Sequence, residues 1–369
     1  MITTIRDRIA GLPDPLRQVC EQLFFVDCVH GFTEPPATMA DWLDRQFGAV
    51  AAVREQTIIK IINRLTLEGA LFNPLRARRP GESRVDDAAL EAYIAQRLGA
   101  GDIFREPLRD TTADRFGRIR GRFCVSASNV AKCDGWHGVV IFDEPHPLHF
   151  DQAHICDYLA VAGRWIAAAH AQDEQAIYPF ILWNCLPKSG ATLVHGHMQI
   201  VLGRGMHYGR VESWRRAAEE YRRLTGASYF DALFAVHQAL DLAVPTASEL
   251  RGFAHLTPLR NREIVLFDQS HAPQREHMLD ELEPLAIALY GVLRKLIDGQ
   301  GMRAFNVAIA LPPLWPAAAD WSDVPLFARL ADRGDPLATS SDWGAIELFG
   351  TGCVVADPFE VAQQLREPG

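Results

Sequence analysis

Polar and apolar positions alternate most regularly over residues 194–202, Val194-His195-Gly196-His197-Met198-Gln199-Ile200-Val201-Leu202. Side chains of an extended chain point to opposite faces with period 2, so residues i and i+2 lie about 6.6 Å apart on one side. The pattern predicts a strand. Val194, Met198, Ile200 and Leu202 form an apolar face that packs on a core, and His195, His197, Gln199 and Val201 form the other. Shorter apolar runs at Gly138–Phe142 and Phe180–Asn184 predict two more strands. Between them Ile155, Leu159, Ala162 and Ile166 recur at helical spacing, after a proline-marked turn at Asp143-Glu144-Pro145-His146-Pro147. The same order returns after residue 250: short strands at 254–258 and 264–267, a helix near 277–298, and a strand at 305–311. The chain thus reads as α+β with a degenerate internal repeat.

Four segments follow. Residues 1–70 read as a helical N-terminal extension, since Ile58, Ile61, Ile62 and Leu65 have helical spacing. Residues 71–206 hold the first repeat and the histidine strand. Residues 207–250 form a charged helical connection. Residues 251–369 form the second repeat, which lacks any H-x-H-x-Q. Residues 86–99 predict a short amphipathic helix, Asp102–Arg122 a charged, turn-rich surface loop or hairpin, and Asp357-Pro358-Phe359 the start of a terminal helix.

Composition narrows the function classes. The 369-residue chain is 48% hydrophobic and 22% charged, with net charge −9 and pI near 5.8. That is a globular composition without the basic footprint of a nucleic-acid or anionic-membrane binder. No apolar run approaches 18 residues, and no signal-peptide core follows Met1-Ile2-Thr3-Thr4. Seven scattered cysteines without a C-x-x-C pair predict reduced thiols and a cytoplasmic location. Locally the acidic balance reverses: Arg76, Arg78, Arg79 and Arg84 fall within nine residues, bracketed by Pro74 and Pro80. Such a fixed loop suits bidentate contact with phosphates.

The histidine strand allows three chemistries. A neutral imidazole is a nucleophile toward phosphorus, and a phosphoramidate intermediate splits one displacement into two. That use needs one ring nitrogen held by an acceptor so that the other keeps its lone pair, and donors around the non-bridging oxygens. Gln199 supplies an amide, and Ser189, Thr192 and the backbone of 189–191 supply further donors. The second chemistry is a metal held by both imidazoles. The third is purely structural.

The constellation resembles the galactose-1-phosphate uridylyltransferase branch of the histidine-triad superfamily. In this sequence Asn184, Gly190 and Thr192 stand eleven, five and three residues before His195, followed by H-x-H-x-Q. Asn73-Pro74-Leu75 with Arg76-x-x-Arg79-Pro80 looks like a compressed form of that branch's upstream segment, and Ile141–His146 like its strand ending in proline and histidine. The resemblance covers roughly residues 71–365. It implies a HIT-like fold of two degenerate repeats forming an antiparallel sheet flanked by helices. It also implies a nucleotidyltransferase that moves a nucleoside monophosphate from a nucleoside diphosphate sugar to a sugar 1-phosphate, ping-pong, through His197. His195 and Gln199 would serve the catalytic step. Asn184, Ser189, Gly190 and Thr192, with Arg76 and Arg79, would bind phosphates. The partners implied are a nucleotide sugar or dinucleotide and a phosphorylated small molecule, and the oligomeric form a homodimer. The covalent step requires no cofactor. Relatives carry structural zinc on two cysteines and two histidines; His146 and His195 take the histidine positions here, but no cysteine pair follows Pro80. Gly196 stands where relatives have proline. Ser128–Lys132 and His137–Ile141 also resemble the diadenosine tetraphosphate phosphorylases, so adenylyl transfer by a phosphorylase or hydrolase is the alternative. A non-catalytic nucleotide-binding protein is the third reading. The base and the sugar stay open.

Overall fold

Runs rich in β-branched residues become strands wherever one side chain in two is buried. The computed structural model describes residues 1–78, 85–99, 101–268, 279, 282–315, 317–341 and 343–367. Its strands are β1 Phe24–Phe32, β2 Glu55–Asn63, β3 Gly69–Phe72, β4 Cys124–Ser128, β5 Trp136–Phe142, β6 Ala176–Cys185, β7 His197–Arg204, β8 Ala243–Val244, β9 Arg251–Ala254, β10 Asn261–Phe267, β11 Phe305–Ala310, β12 Phe327–Asp332 and β13 Thr351–Val354. Nine of them form one sheet in the order β4-β5-β7-β6-β11-β12-β10-β9-β8, and four a smaller sheet, β1-β2-β3-β13.

The large sheet shows the repeat directly. The order β4-β5-β7-β6 is mirrored by β9-β10-β12-β11, and the halves meet where β6 and β11 pair antiparallel, Asn184 opposite Asn306. Each half carries one long helix after its second strand, Gln152–Gln172 and Glu283–Arg294, and the two helices pack together. Beneath the first lie Met198, Ile200 and Leu202 of β7, in one apolar core with Ile155, Leu159 and Ile166. The opposite face of the first repeat has its own small apolar cluster, Val125, Ala127, Val139 and Ile141, capped by Phe104. The turn-rich segment after residue 98 therefore folds over the sheet and is not merely surface.

The N-terminal seventy residues depart from expectation. Helices are present at Asp14–Leu23 and Ala40–Phe47, but 55–63 is β2, paired with β1 along its whole length. Ile59, Ile61 and Asn63 are buried while Ile58, Lys60 and Ile62 are half-buried, the period-2 pattern of a strand. Two isoleucine pairs flanking Lys60 satisfy helical spacing by accident; their β-branching is the stronger signal. The same apolar core runs from Ile2 through Phe72 to Leu365. The connection is helical as expected, at Gly209–Thr225 and Tyr229–Ala239, and the terminal helix is Pro358–Arg366.

In the second repeat β12 carries Arg329, not a histidine. Its guanidinium bonds Glu68 Oε1 from the turn before β3 at 2.6 Å and Glu263 Oε1 of β10 through Nε at 2.8 Å. Trp214 Nε1 donates to the other Glu68 oxygen at 3.1 Å. Buried charges persist when paired this way. This face of the second repeat is thus filled by structural contacts to the N-terminal sheet and the connection. No helix among the described residues is long and apolar enough to cross a membrane.

Candidate active site

His197 opens β7, and the strand register gathers its surroundings. Ile141 of β5 lies opposite His197, and Val139 opposite Gln199. His195 precedes the strand but is fastened to the end of β5. Phe142 N donates to Gly196 O at 3.1 Å, Gly196 N donates to Pro145 O at 2.9 Å, and His195 Nε2 donates to Phe142 O at 2.8 Å. The chain passes so close to the Phe142 ring that a Cβ on Gly196 would stand 2.6 Å from its Cδ2, which accounts for glycine between the histidines.

The His197 ring is 7% exposed, and its Nδ1 lies 2.8 Å from the His195 carbonyl. A carbonyl only accepts, so Nδ1 carries the proton and Nε2 keeps its lone pair. Burial foremost pushes His197 below the ordinary histidine range; the carbonyl bond opposes this, and the neighbouring His195 charge reinforces it. At neutral pH the ring is uncharged, in the tautomer a nucleophile needs.

His195 is the opposite case. Its Nδ1 meets Asp102 Oδ2 at 2.7 Å, and its Nε2 the Phe142 carbonyl. Asp102 and the Phe142 carbonyl thus hold the ring from both sides. Phe104 lies edge-on to both imidazoles, at 5.8 Å from His195 and 5.3 Å from His197.

Gln199 Oε1 lies 2.8 Å from His137 Nε2. The backbone N–H of Cys133 donates to His137 Nδ1 at 3.1 Å, so Nε2 bears the ring's proton and the Gln199 oxygen accepts it. The Gln199 NH₂ remains for a ligand.

The preceding loop is built differently from expectation. Leu186 at φ 71° and Gly190 at φ 100° fold 187–189 into a tight turn. The amides of Ser189 and Gly190 close on Leu186 O and Pro187 O at 3.0 and 2.9 Å, and Ala191 N reaches Leu186 O at 3.4 Å. The Ser189 hydroxyl contacts Cys185 O and Leu186 O, both at 2.7 Å. In this arrangement the 189–191 backbone and the Ser189 side chain hold the loop's shape. Thr192 is exposed. Asn184 accepts from Asn306 Nδ2 at 2.7 Å, Asn306 Nδ2 also reaches Ser189 O at 2.8 Å, and Arg333 Nη1 donates to Asn306 Oδ1 at 2.6 Å. With its oxygen occupied, Asn184 offers its NH₂.

Arg76 lies elsewhere. It lines a cavity of about 960 Å³ together with Lys188, Arg262, Gln300 and Arg333, and His197 is not part of that lining. The cavity borders the back of the loop through Lys188 and the asparagine pair through Arg333. Arg79 lies outside the described residues.

The donor set does not fit zinc. Both His195 nitrogens face oxygen acceptors, and the His146 ring lies 3.2 Å from Glu91 Oε2 and stacks on His149 at 3.7 Å. Among the described residues no three His, Cys, Asp or Glu side chains form a group able to hold a metal ion.

Sequence reading missed Asp102, Phe104, His137, Asn306 and Arg333. His137 was the most accessible: it sits two residues before Val139 on a strand already singled out, on the face that turns toward Gln199.

Two mirrored α+β repeats share one antiparallel sheet, with H-x-H-x-Q at the start of the first repeat's last strand. Solved structures give it specific counterparts. An ADP-glucose phosphorylase from Arabidopsis thaliana, with ADP-glucose bound, is similar over 84% of this chain and 98% of its own, with TM-score 0.65 and 16% identity. A GalT-like protein from the same plant covers 73% of this chain and 93% of its own, at TM-score 0.61 and 18% identity. A uridylyltransferase covers 69% and 87%, at TM-score 0.56 and 17% identity. At such identities the likeness is one of fold. No family model and no curated protein sequence matches the chain.

Proposed function

We propose that the chain is a nucleotidyltransferase acting on a nucleoside diphosphate sugar through a covalent nucleotidyl-His197 intermediate. The observation that carries this reading is the 2.8 Å bond from His197 Nδ1 to the His195 carbonyl. It presents Nε2, uncharged, at the start of β7. In the first step the Nε2 lone pair attacks the α-phosphorus, and the bond from that phosphorus to the bridging oxygen breaks, releasing the sugar phosphate. In the second step an acceptor phosphate oxygen attacks the same phosphorus and the P–N bond breaks. The NH₂ groups of Gln199 and Asn184, whose oxygens are engaged, would hold non-bridging oxygens whose charge must be stabilised. The covalent step needs no cofactor. The cavity that holds Arg76 and Lys188 has the size of a ligand site and the cations for a second phosphate.

The acceptor separates two versions of the chemistry. A sugar 1-phosphate makes the enzyme a transferase of the uridylyltransferase type. Inorganic phosphate makes it a phosphorylase, a version favoured by the fold likeness spanning nearly all of an ADP-glucose phosphorylase. Intact-mass spectrometry after incubation with UDP-, GDP- and ADP-linked sugars tests the reading. One nucleoside monophosphate is expected on the wild-type chain and none on His197→Ala. A chain that stays unmodified with every donor contradicts it. Which acceptor discharges the adduct decides between the versions.

A further inference from the structure

We propose that Asp102 is a positioning residue for the nucleophile: as the buried partner of His195 it locks the carbonyl that orients His197. The inference rests on the reading of His197 as nucleophile. Asp102 comes from outside the mirrored strands, in the loop after the helix Asp87–Arg97. Its Oδ2 meets His195 Nδ1 at 2.7 Å, with both side chains 4% exposed. Its Oδ1 accepts from Phe104 N at 3.0 Å, which seats the ring that covers both imidazoles. One carboxylate thus fixes the His195 ring and the roof of the site together.

The consequence reaches His197 through the backbone. The His195 ring is clamped between Asp102 and the Phe142 carbonyl, and the next peptide is clamped by Gly196 bonding to Phe142 and Pro145. The His195 carbonyl between these clamps has one direction, toward His197 Nδ1. Without the carboxylate, His195 Nδ1 loses its charged, buried acceptor. The ring is then held from one side only, and the tautomer of His197 is no longer dictated.

Three measurements on the full chain test this. The purified protein is expected to lack stoichiometric zinc, and EDTA is expected to leave its unfolding temperature unchanged. Nitrogen-15 NMR is expected to show the His195 Nδ1 proton, bonded to Asp102, far downfield. That signal disappears in the isosteric Asp102→Asn and, as its assignment, in His195→Gln. Asp102→Asn is expected to slow adduct formation at saturating donor about 10- to 100-fold, the usual cost of losing a group that orients a functional histidine, while donor KM changes by less than about twofold. Combining Asp102→Asn with His195→Gln should cost no more than the worse single change. A stoichiometric zinc whose removal abolishes the downfield signal overturns the proposal. So does an Asp102→Asn chain with wild-type adduct rate and the downfield signal unchanged. If the wild-type chain forms no adduct, the reading of His197 fails, and the zinc and NMR results still decide the role of Asp102.

Discussion

A carboxamide on a strand can turn either its oxygen or its nitrogen toward a ligand, and the two choices have opposite effects on a phosphate. Here His137 makes the choice. With the Cys133 amide on Nδ1, the ring can only donate from Nε2, so the Gln199 oxygen is taken and its NH₂ faces outward. Asn129 Nδ2 lies 3.1 Å from the same nitrogen, but two N–H groups cannot bond each other, and this is a contact only. Burial foremost holds His137 below the ordinary histidine range, which keeps it in the one-proton state that orients Gln199. Gln199→Ala should lower the maximum rate of nucleotidyl transfer by about 10²–10³, the cost of removing one oxyanion donor. His137→Ala should give a smaller loss, and the double variant should be no worse than Gln199→Ala, because His137 acts only through Gln199. Steady-state rates on the three variants check this; additive losses contradict the relay. His197 and Gln199 were legible in the sequence because their chemistry lies on one strand at period 2. Asp102 was not, since 93 residues separate it from His195 and nothing local marks a carboxylate that will be buried.

At the scale of the element, the short segment from His195 to His197 is welded to β5 more than it belongs to β7. Glycine at its centre is a packing requirement. A Cβ at 196 would meet the Phe142 ring at 2.6 Å, and that ring is itself stacked on Tyr158 at 3.7 Å and cannot retreat. Gly196→Ala should therefore destabilise the fold by about 1–3 kcal/mol, the range for overpacking a filled site, and slow adduct formation as well. Urea unfolding with an unchanged slope checks the first part; wild-type stability contradicts it. The elements of both repeats were legible because their apolar runs are short, bounded by Gly and Pro, and separated by a strongly periodic helix. β2 was misread because Ile58-Ile59 and Ile61-Ile62 satisfy both periods over so few residues. The partner that makes it a strand, β1, lies beyond an intervening helical segment and leaves no mark in β2 itself.

Across the whole molecule, duplication has separated two tasks. The first repeat keeps the H-x-H-x-Q strand. The second uses the matching face for a buried charge network of Arg329, Glu68 and Glu263, joining the small sheet and the connection to the large sheet. The missing H-x-H-x-Q announced that division, but not what replaced it, because the two glutamates come from segments 195 residues apart in sequence. Titration of the buried groups makes the assembly sensitive to acid. Burial, the leading cause in both, depresses His207 to about 4 and His237 to about 3. In the unfolded chain both titrate near 6.5. Stability is therefore complete above about pH 6.5 and is lost as pH falls toward the folded values, by up to about 4 kcal/mol for the pair between pH 6.5 and 5. Glu263, held down to about 2 mainly by Arg329 against its burial, adds a further loss below the ordinary carboxylate range. Urea unfolding at pH 7 and pH 5 tests this; equal stability at both contradicts neutral, buried His207 and His237.

The central claim concerns one atom, Nε2 of His197. Peptide mapping of the chain after reaction with a nucleotide sugar tests it most directly. The account predicts a single nucleoside monophosphate on the peptide that holds His197, attached to that residue, lost in acid as a phosphoramidate is, and discharged by a phosphate-bearing acceptor. A nucleotide found on any other residue, or turnover without any adduct in a His197→Ala chain, would contradict it.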